Sequence, residues 1–369
     1  MSLKIAVLDD YQGIAEEYFG ALGGEFEISV QDELVQRLEP FQIIDIHAPS
    51  GVIGQDQLGD NTVDSDLSQT TYIVTTRERT PFPAELVRRL PKLKLLLTNS
   101  ARNLALDLDA LQERGVVVAT VLGLPPVGYT PVVDSTPEHI LTLIMALSKN
   151  IAADDASVKT GGWQTGCSTS LSGKTLGLVG LGRLGVVTAK MLHAALGMQV
   201  IAWSPNLTQD KADEQARAAG LAATQPDGRP TFASVSREDL FSKSDVVSLH
   251  LVLSDRSRGL ITAADLHKMK PESFFVNTSR GPLVVERDLL DTLQQGRIRG
   301  AALDVFAIEP LPAESEWRTT AWGKDGRSQV LLTPHTGFVD HATIHGWYKQ
   351  QAEEVVRWKN GQELGKRLV

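Results

Sequence analysis

The sequence has little cysteine, no excess of basic residues and no long apolar run. Its 369 residues include one cysteine, Cys167, which excludes a disulfide within the chain and favours a reducing compartment. The net charge of -9 argues against nucleic-acid binding, which needs a basic surface. No apolar run reaches membrane-spanning length, and the N-terminal residues lack a signal-peptide pattern. We therefore expect a cytoplasmic protein with no membrane or nucleic-acid partner.

The chain is too long for one ordinary hydrophobic core, so we expect two domains. Strand-like apolar runs alternate with helix-like segments from Lys4 to Ala119 and again from Thr175 to Thr333. Such alternation indicates parallel sheets covered by helices on both faces. Apolar residues at helical spacing predict a helix from His139 to Ala152, and an amphipathic pattern predicts another from Asp340 to Lys359. The predicted fold class is α/β, with two doubly wound parallel sheets.

A glycine-rich segment, VGLGRLG, lies near the middle of the chain between a strand-like and a helix-like run. In this context, Gly180 permits a tight turn, Gly182 lets the backbone approach a pyrophosphate, and Gly185 allows close helix packing. The helix start at Arg183 and Leu184 then presents backbone amides to an anion. The segment therefore predicts dinucleotide binding, although similar turns also occur in sheets that bind no ligand.

The strand that follows this helix ends without an acidic residue. An acid at that point would hydrogen-bond the ribose of NAD and repel the additional phosphate of NADP. The chain has Ser204 and Asn206 there, and Lys211 is the nearest basic residue. We expect NAD or NADP as the cofactor, with NADP accepted.

Three later segments place polar residues at the ends of predicted strands, where open α/β sheets bind their ligands. NTSRGPLV contains Arg280, ALDVFAIEPLP contains Asp304 and Glu309, and LTPHTGF contains His335. Arginine can bind a carboxylate through two parallel hydrogen bonds, and histidine can donate a proton while a neighbouring carboxylate favours its charged form. Beside a dinucleotide, these groups indicate reduction of a keto acid. Each has a structural alternative: a surface ion pair for Arg280, a solvated acid for Glu309 and a packed histidine for His335.

The chain resembles the D-isomer-specific 2-hydroxyacid dehydrogenases. The resemblance rests on GKTLGLVGLGRLG, VNTSRGPLVVERDLLDTLQQGRIRGAALDVFAIEPLP and TPHTGF, which occur in the family's order. It implies an oxidoreductase that transfers hydride reversibly between a nicotinamide cofactor and a 2-keto acid, giving a D-2-hydroxy acid. It also implies that Arg280 binds the substrate carboxylate and carbonyl, and that Glu309 supports His335 as the acid/base. Asp304 would then meet the nicotinamide carboxamide.

The resemblance further implies a Rossmann cofactor domain, residues 124–335, inserted in a flavodoxin-like substrate domain, residues 1–123 plus 336–369. A homodimer formed through the cofactor domain is expected on the same ground. The substrate-domain loops would contribute Arg77, Arg79, Ser100, Ala101 and Arg102. Two more residues would contact the cofactor: Thr278, and His250 beside the adenine. Near His250 the family usually has a proline where this chain has Val252.

Two segments, residues 50–68 and 313–328, are insertions relative to the family and should face the cleft or its rim. The particular 2-keto acid stays open among phosphoglycerate-type, glyoxylate, hydroxypyruvate and branched or aromatic substrates. The related formate dehydrogenases have glutamine where this chain has Glu309, which argues against that activity. An NAD(H)-sensing protein similar to the corepressors of this fold is one alternative, and an idle structural dimer is another. His341 and His345 are four residues apart, but HATIH lacks the glutamate of a zinc-protease helix, so we expect no metal.

Overall fold

The computed structural model describes residues 3–31, 67–76, 79–100, 103, 105–121 and 135–369. The chain divides into two compact units, Met1–Pro131 with Asp340–Val369, and Val132–Val339. Each unit contains one parallel sheet, of five and seven strands respectively, so the predicted α/β class with two parallel sheets is confirmed. Among the described residues, no helix has the length and apolar character needed to cross a membrane.

The first unit is built on a sheet of order β2-β1-β3-β4-β5. Buried apolar strands such as Leu95–Thr98 form its centre, and short helices pack against them. Its strands are β1 (Leu3–Leu8), β2 (Phe26–Gln31), β3 (Tyr72–Val74), β4 (Leu95–Thr98) and β5 (Val117–Thr120). Its helices are α1 (Ala15–Phe19), α2 (Ala84–Arg88), α3 (Leu108–Glu113) and the C-terminal α12 (His341–Lys359). The Phe19 and Tyr348 rings meet edge to face and join α12 to α1.

The second unit has seven parallel strands with a hydrophobic cluster on each face. Its strands are β6 (Thr175–Val179), β7 (Gln199–Trp203), β8 (Phe232–Ser234), β9 (Val246–Leu249), β10 (Phe274–Asn277), β11 (Gly300–Leu303) and β12 (Gln329–Leu332). Its helices are α4 (Ser135–Ser148), α5 (Ile151–Lys159), α6 (Arg183–Leu196), α7 (Gln209–Ala218), α8 (Arg237–Lys243), α9 (Ala263–Leu266), α10 (Glu286–Gln294) and α11 (Glu316–Thr319).

The strand order of the second unit, β12-β11-β10-β9-β6-β7-β8, reverses direction at β6. The chain runs from β6 outward through β7 and β8, then returns to β9 on the other side of β6. A doubly wound sheet opens a ligand crevice at such a point, beyond the carboxyl ends of its strands. Because parallel strands lie about 4.8 Å apart, β6 is about 19 Å from β12 along this edge.

The single helix predicted from His139 to Ala152 is wrong in its extent. The structure has two helices there, α4 and α5, separated at Asn150, whose φ of 56° is left-handed. Asparagine tolerates this conformation better than most side chains, so the chain can turn at this residue. The apolar periodicity that buries Ile140, Leu143, Ile144 and Leu147 does not continue, because Ile151 is 56% exposed.

Candidate active site

The glycine turn joins β6 to α6 at the point where the strand order reverses. Gly180 has a φ of 105°, and a Cβ there would lie 2.9 Å from the His250 carbonyl oxygen. A Cβ on Gly185 would lie 2.6 Å from the Gly180 oxygen, so only glycine lets α6 pack this closely. Gly182, the residue that caps α6, would have no atom within 4 Å of a Cβ. The space above Gly182 and the first amides of α6 suits a pyrophosphate, because no capping side chain occupies it.

The loop after β7 is where a Rossmann sheet meets the adenosine ribose. Thr208 caps α7, and in the first turn of that helix Lys211 Nζ donates to the Asn206 carbonyl oxygen at 2.9 Å. The ammonium group is therefore held against the loop that contains Ser204 and Asn206. Arg237 lies nearby, over the Trp203 ring at 5.3 Å, but its guanidinium is paired with Asp265. Lys211 thus brings a positive charge to a loop that lacks the usual acid.

His250 follows β9 directly and packs beneath the glycine turn. Its ring carbon Cγ lies 3.4 Å from the position of a Cβ on Gly185, and its Nε2 lies 3.0 Å from Ser248 Oγ. Burial lowers the pKa of His250 to about 4, which favours the neutral imidazole at pH 7. Two other positions concern the expected cofactor contacts. Thr278, which follows β10, is largely buried, with 9% of its surface exposed, and Val252, where the family usually has proline, is 71% exposed.

Arg280 lies in the loop after β10, which is anchored on both sides. Asn277 Nδ2 donates to the Arg280 carbonyl oxygen at 3.0 Å, and Ser279 Oγ donates to the Leu249 carbonyl oxygen at 2.7 Å. The next residue, Gly281, packs against the loop after β11, where a Cβ would lie 2.0 Å from the carbonyl carbon of Phe306. The Arg280 side chain is half-buried, and its Nη1 donates to the Ser279 carbonyl oxygen. Backbone contact therefore fixes the Arg280 loop beside the segment that leads to Glu309.

Glu309 and His335 form a direct pair between the loops after β11 and β12. Glu309 Oε2 is 2.5 Å from His335 Nδ1, and Glu309 Oε1 accepts the Phe306 amide N–H at 2.8 Å. The two side chains are 32% and 21% exposed, so solvent reaches both. A carboxylate at this distance from Nδ1 fixes the ring orientation and leaves Nε2 as the second ring nitrogen. Phe338 supports the ring edge to face at 5.6 Å between centroids.

Asp304 holds the backbone around His335. Its carboxylate is 2% exposed and accepts hydrogen bonds from Thr333 Oγ1 at 2.6 Å, the Thr336 amide at 2.9 Å and the Gly337 amide at 3.0 Å. The His335 amide donates to the Asp304 carbonyl oxygen at 2.8 Å, which supports a left-handed φ of 52° at His335. Burial raises the pKa of Asp304, but hydrogen bonds from His139, Thr333 and these amides outweigh burial and hold it below its usual range. The expected contact of Asp304 with a nicotinamide stays a prediction.

The sequence motifs predict a role for Asp304 but do not identify His139, whose side chain contacts it in the structure. His139 Nε2 lies 3.3 Å from Asp304 Oδ1 and 3.1 Å from Thr333 Oγ1. A signal was present, because this histidine lies four residues before Leu143 on the apolar face of α4. A polar side chain on a buried stripe needs a hydrogen-bond partner, and Asp304 and Thr333 supply it.

Apart from Arg280, the predicted substrate-binding residues lie among the described residues of the first unit or outside the described residues. Arg77, Ala101 and Arg102 are in the latter group. Ser100 is buried at the carboxyl end of β4, and Arg79 lies over the Tyr11 ring at 4.4 Å. Their role as substrate contacts stays a prediction.

Residues 313–328, which we predict to be an insertion relative to the family, pack within the second unit. Trp317 is 3% exposed and its Nε1 donates to Glu286 Oε1 at 2.9 Å, while Trp322 Nε1 donates to the Trp317 carbonyl oxygen. The insertion thus joins the cluster beneath α10. Of the other insertion, residues 50–68, only the last two are described.

His341 and His345 stack at the start of α12, with ring centroids 3.9 Å apart. The Nδ1 atom of His345 lies 2.6 Å from the Tyr18 hydroxyl oxygen, which makes it a hydrogen-bond partner of that hydroxyl. Within the described part of the chain, no three His, Cys, Asp or Glu side chains are arranged to hold a metal ion.

The chain is similar to known proteins both in sequence and in structure. Residues 141–337 match the family model described as D-isomer specific 2-hydroxyacid dehydrogenase, NAD binding domain. The chain is 35% identical over 263 residues to a D-3-phosphoglycerate dehydrogenase of Mycobacterium leprae (strain TN), covering 71% of this chain and 44% of that protein. It is 29% identical to glyoxylate/hydroxypyruvate reductase B of Enterobacter sp. (strain 638), covering 75% and 78%. A solved structure of a putative D-3-phosphoglycerate dehydrogenase from Ralstonia solanacearum aligns with a TM-score of 0.75 and 31% identity, covering 99% and 96%.

Proposed function

Because the chain belongs to the D-isomer-specific 2-hydroxyacid dehydrogenase family and carries its NAD-binding domain, we propose that it reduces a 2-keto acid to a D-2-hydroxy acid. The observation that carries this proposal is the 2.5 Å pair of His335 and Glu309 beside the anchored Arg280 loop. The strands that lead to these residues, β10, β11 and β12, are neighbours in one sheet. The glycine turn follows β6, two strands from β10, on the same edge.

In this proposal, His335 moves the proton. Glu309 holds Nδ1 and orients the ring, so the protonated imidazole can donate a proton from Nε2 to the C2 oxygen of the keto acid. The nicotinamide, when bound, supplies the hydride that C2 accepts. After reduction, His335 is neutral and Glu309 keeps its ring in the same orientation for reprotonation. In the reverse direction the same nitrogen removes the hydroxyl proton.

Arg280 binds the substrate in this proposal. Its planar guanidinium can hold the carboxylate through two hydrogen bonds and polarise the adjacent carbonyl. The bonds from Asn277 and Ser279 fix the loop backbone, so the guanidinium starts from a defined position. A positioned cation lowers the barrier because it needs little reorganisation as negative charge develops on the C2 oxygen.

We further propose that the enzyme accepts NADPH as well as NADH. A carboxylate at the end of β7 would repel the 2′-phosphate, and this chain has Ser204 at that point. The bond from Lys211 Nζ to the Asn206 carbonyl oxygen keeps an ammonium beside the same loop, where it attracts an anion. The hydroxyl of Ser204 and the amide of Asn206 supply neutral hydrogen-bonding groups for either ribose.

A homodimer formed through the second unit is part of the proposal. Helix α5 has no buried residue. Ile151 and Val158 are 56% and 55% exposed and lie seven residues apart, on one face of this helix. Trp163, just beyond the helix, is 74% exposed. Large apolar side chains that cluster on a surface favour burial against a partner, and a second copy of the chain fits the resemblance.

A panel of 2-keto acids tested with NADH and with NADPH, followed by the nicotinamide absorbance, tests the function directly. The panel includes glyoxylate, hydroxypyruvate, its phosphorylated form, and branched and aromatic keto acids. Turnover of any member by the wild-type chain, lost in His335→Ala, supports the dehydrogenase. Tight cofactor binding without turnover of any member would instead favour an NAD(H) sensor and overturn the proposal.

A further inference from the structure

We propose that His139 is a positioning residue that holds the His335 loop, residues 333–337, through Asp304 and Thr333. The inference rests on the proposed function, in which His335 exchanges the proton. It deepens that function by adding a residue from α4, an element that contributes none of the predicted catalytic groups. His139 acts on the loop from behind, through a buried carboxylate.

Two side chains, those of Thr333 and His139, meet at one oxygen of Asp304. Thr333 Oγ1 donates to Oδ1 at 2.6 Å, and His139 Nε2 lies 3.3 Å from the same oxygen. The same His139 nitrogen lies 3.1 Å from Thr333 Oγ1, which closes a triangle. Because Thr333 Oγ1 donates to the carboxylate, it is free to accept the His139 N–H. His139 thereby fixes both the first residue of the loop and the carboxylate beneath it.

The same carboxylate fixes the far side of the loop. Oδ1 accepts the Thr336 amide N–H and Oδ2 accepts the Gly337 amide N–H. The His335 amide between these anchors donates to the Asp304 carbonyl oxygen. Residues on both sides of His335 are therefore bonded to Asp304, and a rotation of its carboxylate would shift the imidazole relative to Glu309.

Packing leaves little room for the loop to shift. Ser135 Oγ, in the first turn of α4, donates to the Gly337 carbonyl oxygen at 3.1 Å. A Cβ on Gly337 would lie 3.1 Å from Asp304 Oδ2 and 3.4 Å from His139 Cδ2. Helix α4 and the His335 loop are thus joined by two hydrogen bonds to side chains of α4 and by close contact at a glycine.

Loss of the His139 donor should act on catalysis more than on binding. The buried Asp304 carboxylate would lose a hydrogen bond, and the remaining donors would rearrange around it. A displacement of a catalytic group by about 1 Å can cost about 10²-fold in rate. Asp304 is one of the expected cofactor contacts, but the glycine turn and the loop after β7 lie on other strands, so cofactor affinity should change much less than kcat.

The test compares His139→Leu, which removes the N–H donor, with His139→Gln, whose amide can still donate to Asp304. Glu138→Gln, at the neighbouring exposed position, is the matched control. For each variant, kcat and KM for the keto acid are measured, and kcat is normalised to the number of cofactor-binding sites found by titration. Hydrogen exchange of peptides that cover residues 330–338 is measured without substrate.

We expect His139→Leu to lower kcat about 10- to 100-fold with KM and cofactor affinity within about twofold of wild type. His139→Gln should recover most of that loss, Glu138→Gln should match wild type, and only the leucine variant should exchange faster at residues 330–338. Wild-type kcat and exchange in His139→Leu would overturn the inference, as would an equal loss in both variants. If the wild-type chain reduces no keto acid, the proposed function fails. Faster exchange in the leucine variant then still supports the hold on the loop, and unchanged exchange overturns it.

Discussion

Replacing Glu309 with glutamine should lower the rate of keto-acid reduction by about 10- to 150-fold. The carboxylate makes two hydrogen bonds at once, to His335 Nδ1 through Oε2 and to the Phe306 amide through Oε1. Glutamine has one acceptor oxygen, so the variant can satisfy only one of these donors. A hydrogen bond to a charged group contributes about 1.5–3 kcal/mol, and about 1.36 kcal/mol corresponds to tenfold in rate. Because Glu309 is 32% exposed, solvent screening places the expected loss toward the lower end of this range.

The assay is steady-state reduction by wild type, Glu309→Gln, His335→Ala and the double variant. His335→Ala should lose about 10²- to 10⁴-fold, the usual contribution of a positioned acid. If Glu309 acts through His335, the double variant should be no slower than His335→Ala alone. Glu314→Gln, an exposed acid in the same segment, should match wild type. A double variant slowed by the product of both single losses would refute the pairing, as would a Glu309→Gln enzyme at wild-type rate.

Four other substitutions test separate parts of the argument. Arg280→Lys should raise KM for the keto acid about tenfold with little change in kcat, because lysine lacks the planar fork; an unchanged KM in steady-state kinetics would contradict carboxylate binding. Ser204→Asp should raise KM for NADPH at least about tenfold and spare NADH, and equal effects on both cofactors would argue against this ribose position. Hydrogen bonds hold the pKa of Asp304 in the folded protein below its usual value of 3.8, so the charged carboxylate stabilises the fold fully above pH 3.8. This stabilisation is lost as the pH falls through the lower pKa of the folded state. The difference in unfolding free energy between wild type and Asp304→Asn should therefore shrink below about pH 4 in denaturant titrations, and a constant difference would disprove the assignment. Trp163→Glu should weaken dimerisation at least about tenfold in sedimentation experiments, and an unaltered dissociation constant would place the interface elsewhere.

The sequence predicts the sheets well because buried parallel strands are continuous apolar runs. TLGLV and FFVN each form a strand with at most one residue outside the core. The glycine turn was readable for a related reason. Gly180 and Gly185 each have backbone within 3 Å of where a Cβ would be, so those positions admit glycine alone. Family membership followed from the same motifs together with the order of the later segments, and the family match confirms it.

Features that depend on tertiary contacts were not predictable in this way. Asn150 interrupts a helical pattern through its own backbone conformation, which apolar periodicity does not report. His139 and Asp304 are 165 positions apart along the chain, and only the packing of α4 against β11 and β12 brings them together. Trp317 lies in the segment predicted to be an insertion, and its hydrogen-bond partner Glu286 on α10 is 31 positions away along the chain. A contact between two single residues that are far apart along the chain produces no periodic pattern in the sequence, so it cannot be predicted from periodicity.

Because Gly281 has no side chain, its close packing limits which substitutions a redesign of the enzyme can use. Phe306 backbone atoms fill the space that any larger residue at position 281 would need. The Arg280 loop and the segment that leads to Glu309 are therefore packed together as one rigid block. Directed evolution of a new substrate range should therefore find few tolerated changes in this block. Productive mutations should accumulate at positions outside it, while Arg280, the proposed anchor for the substrate carboxylate, stays unchanged.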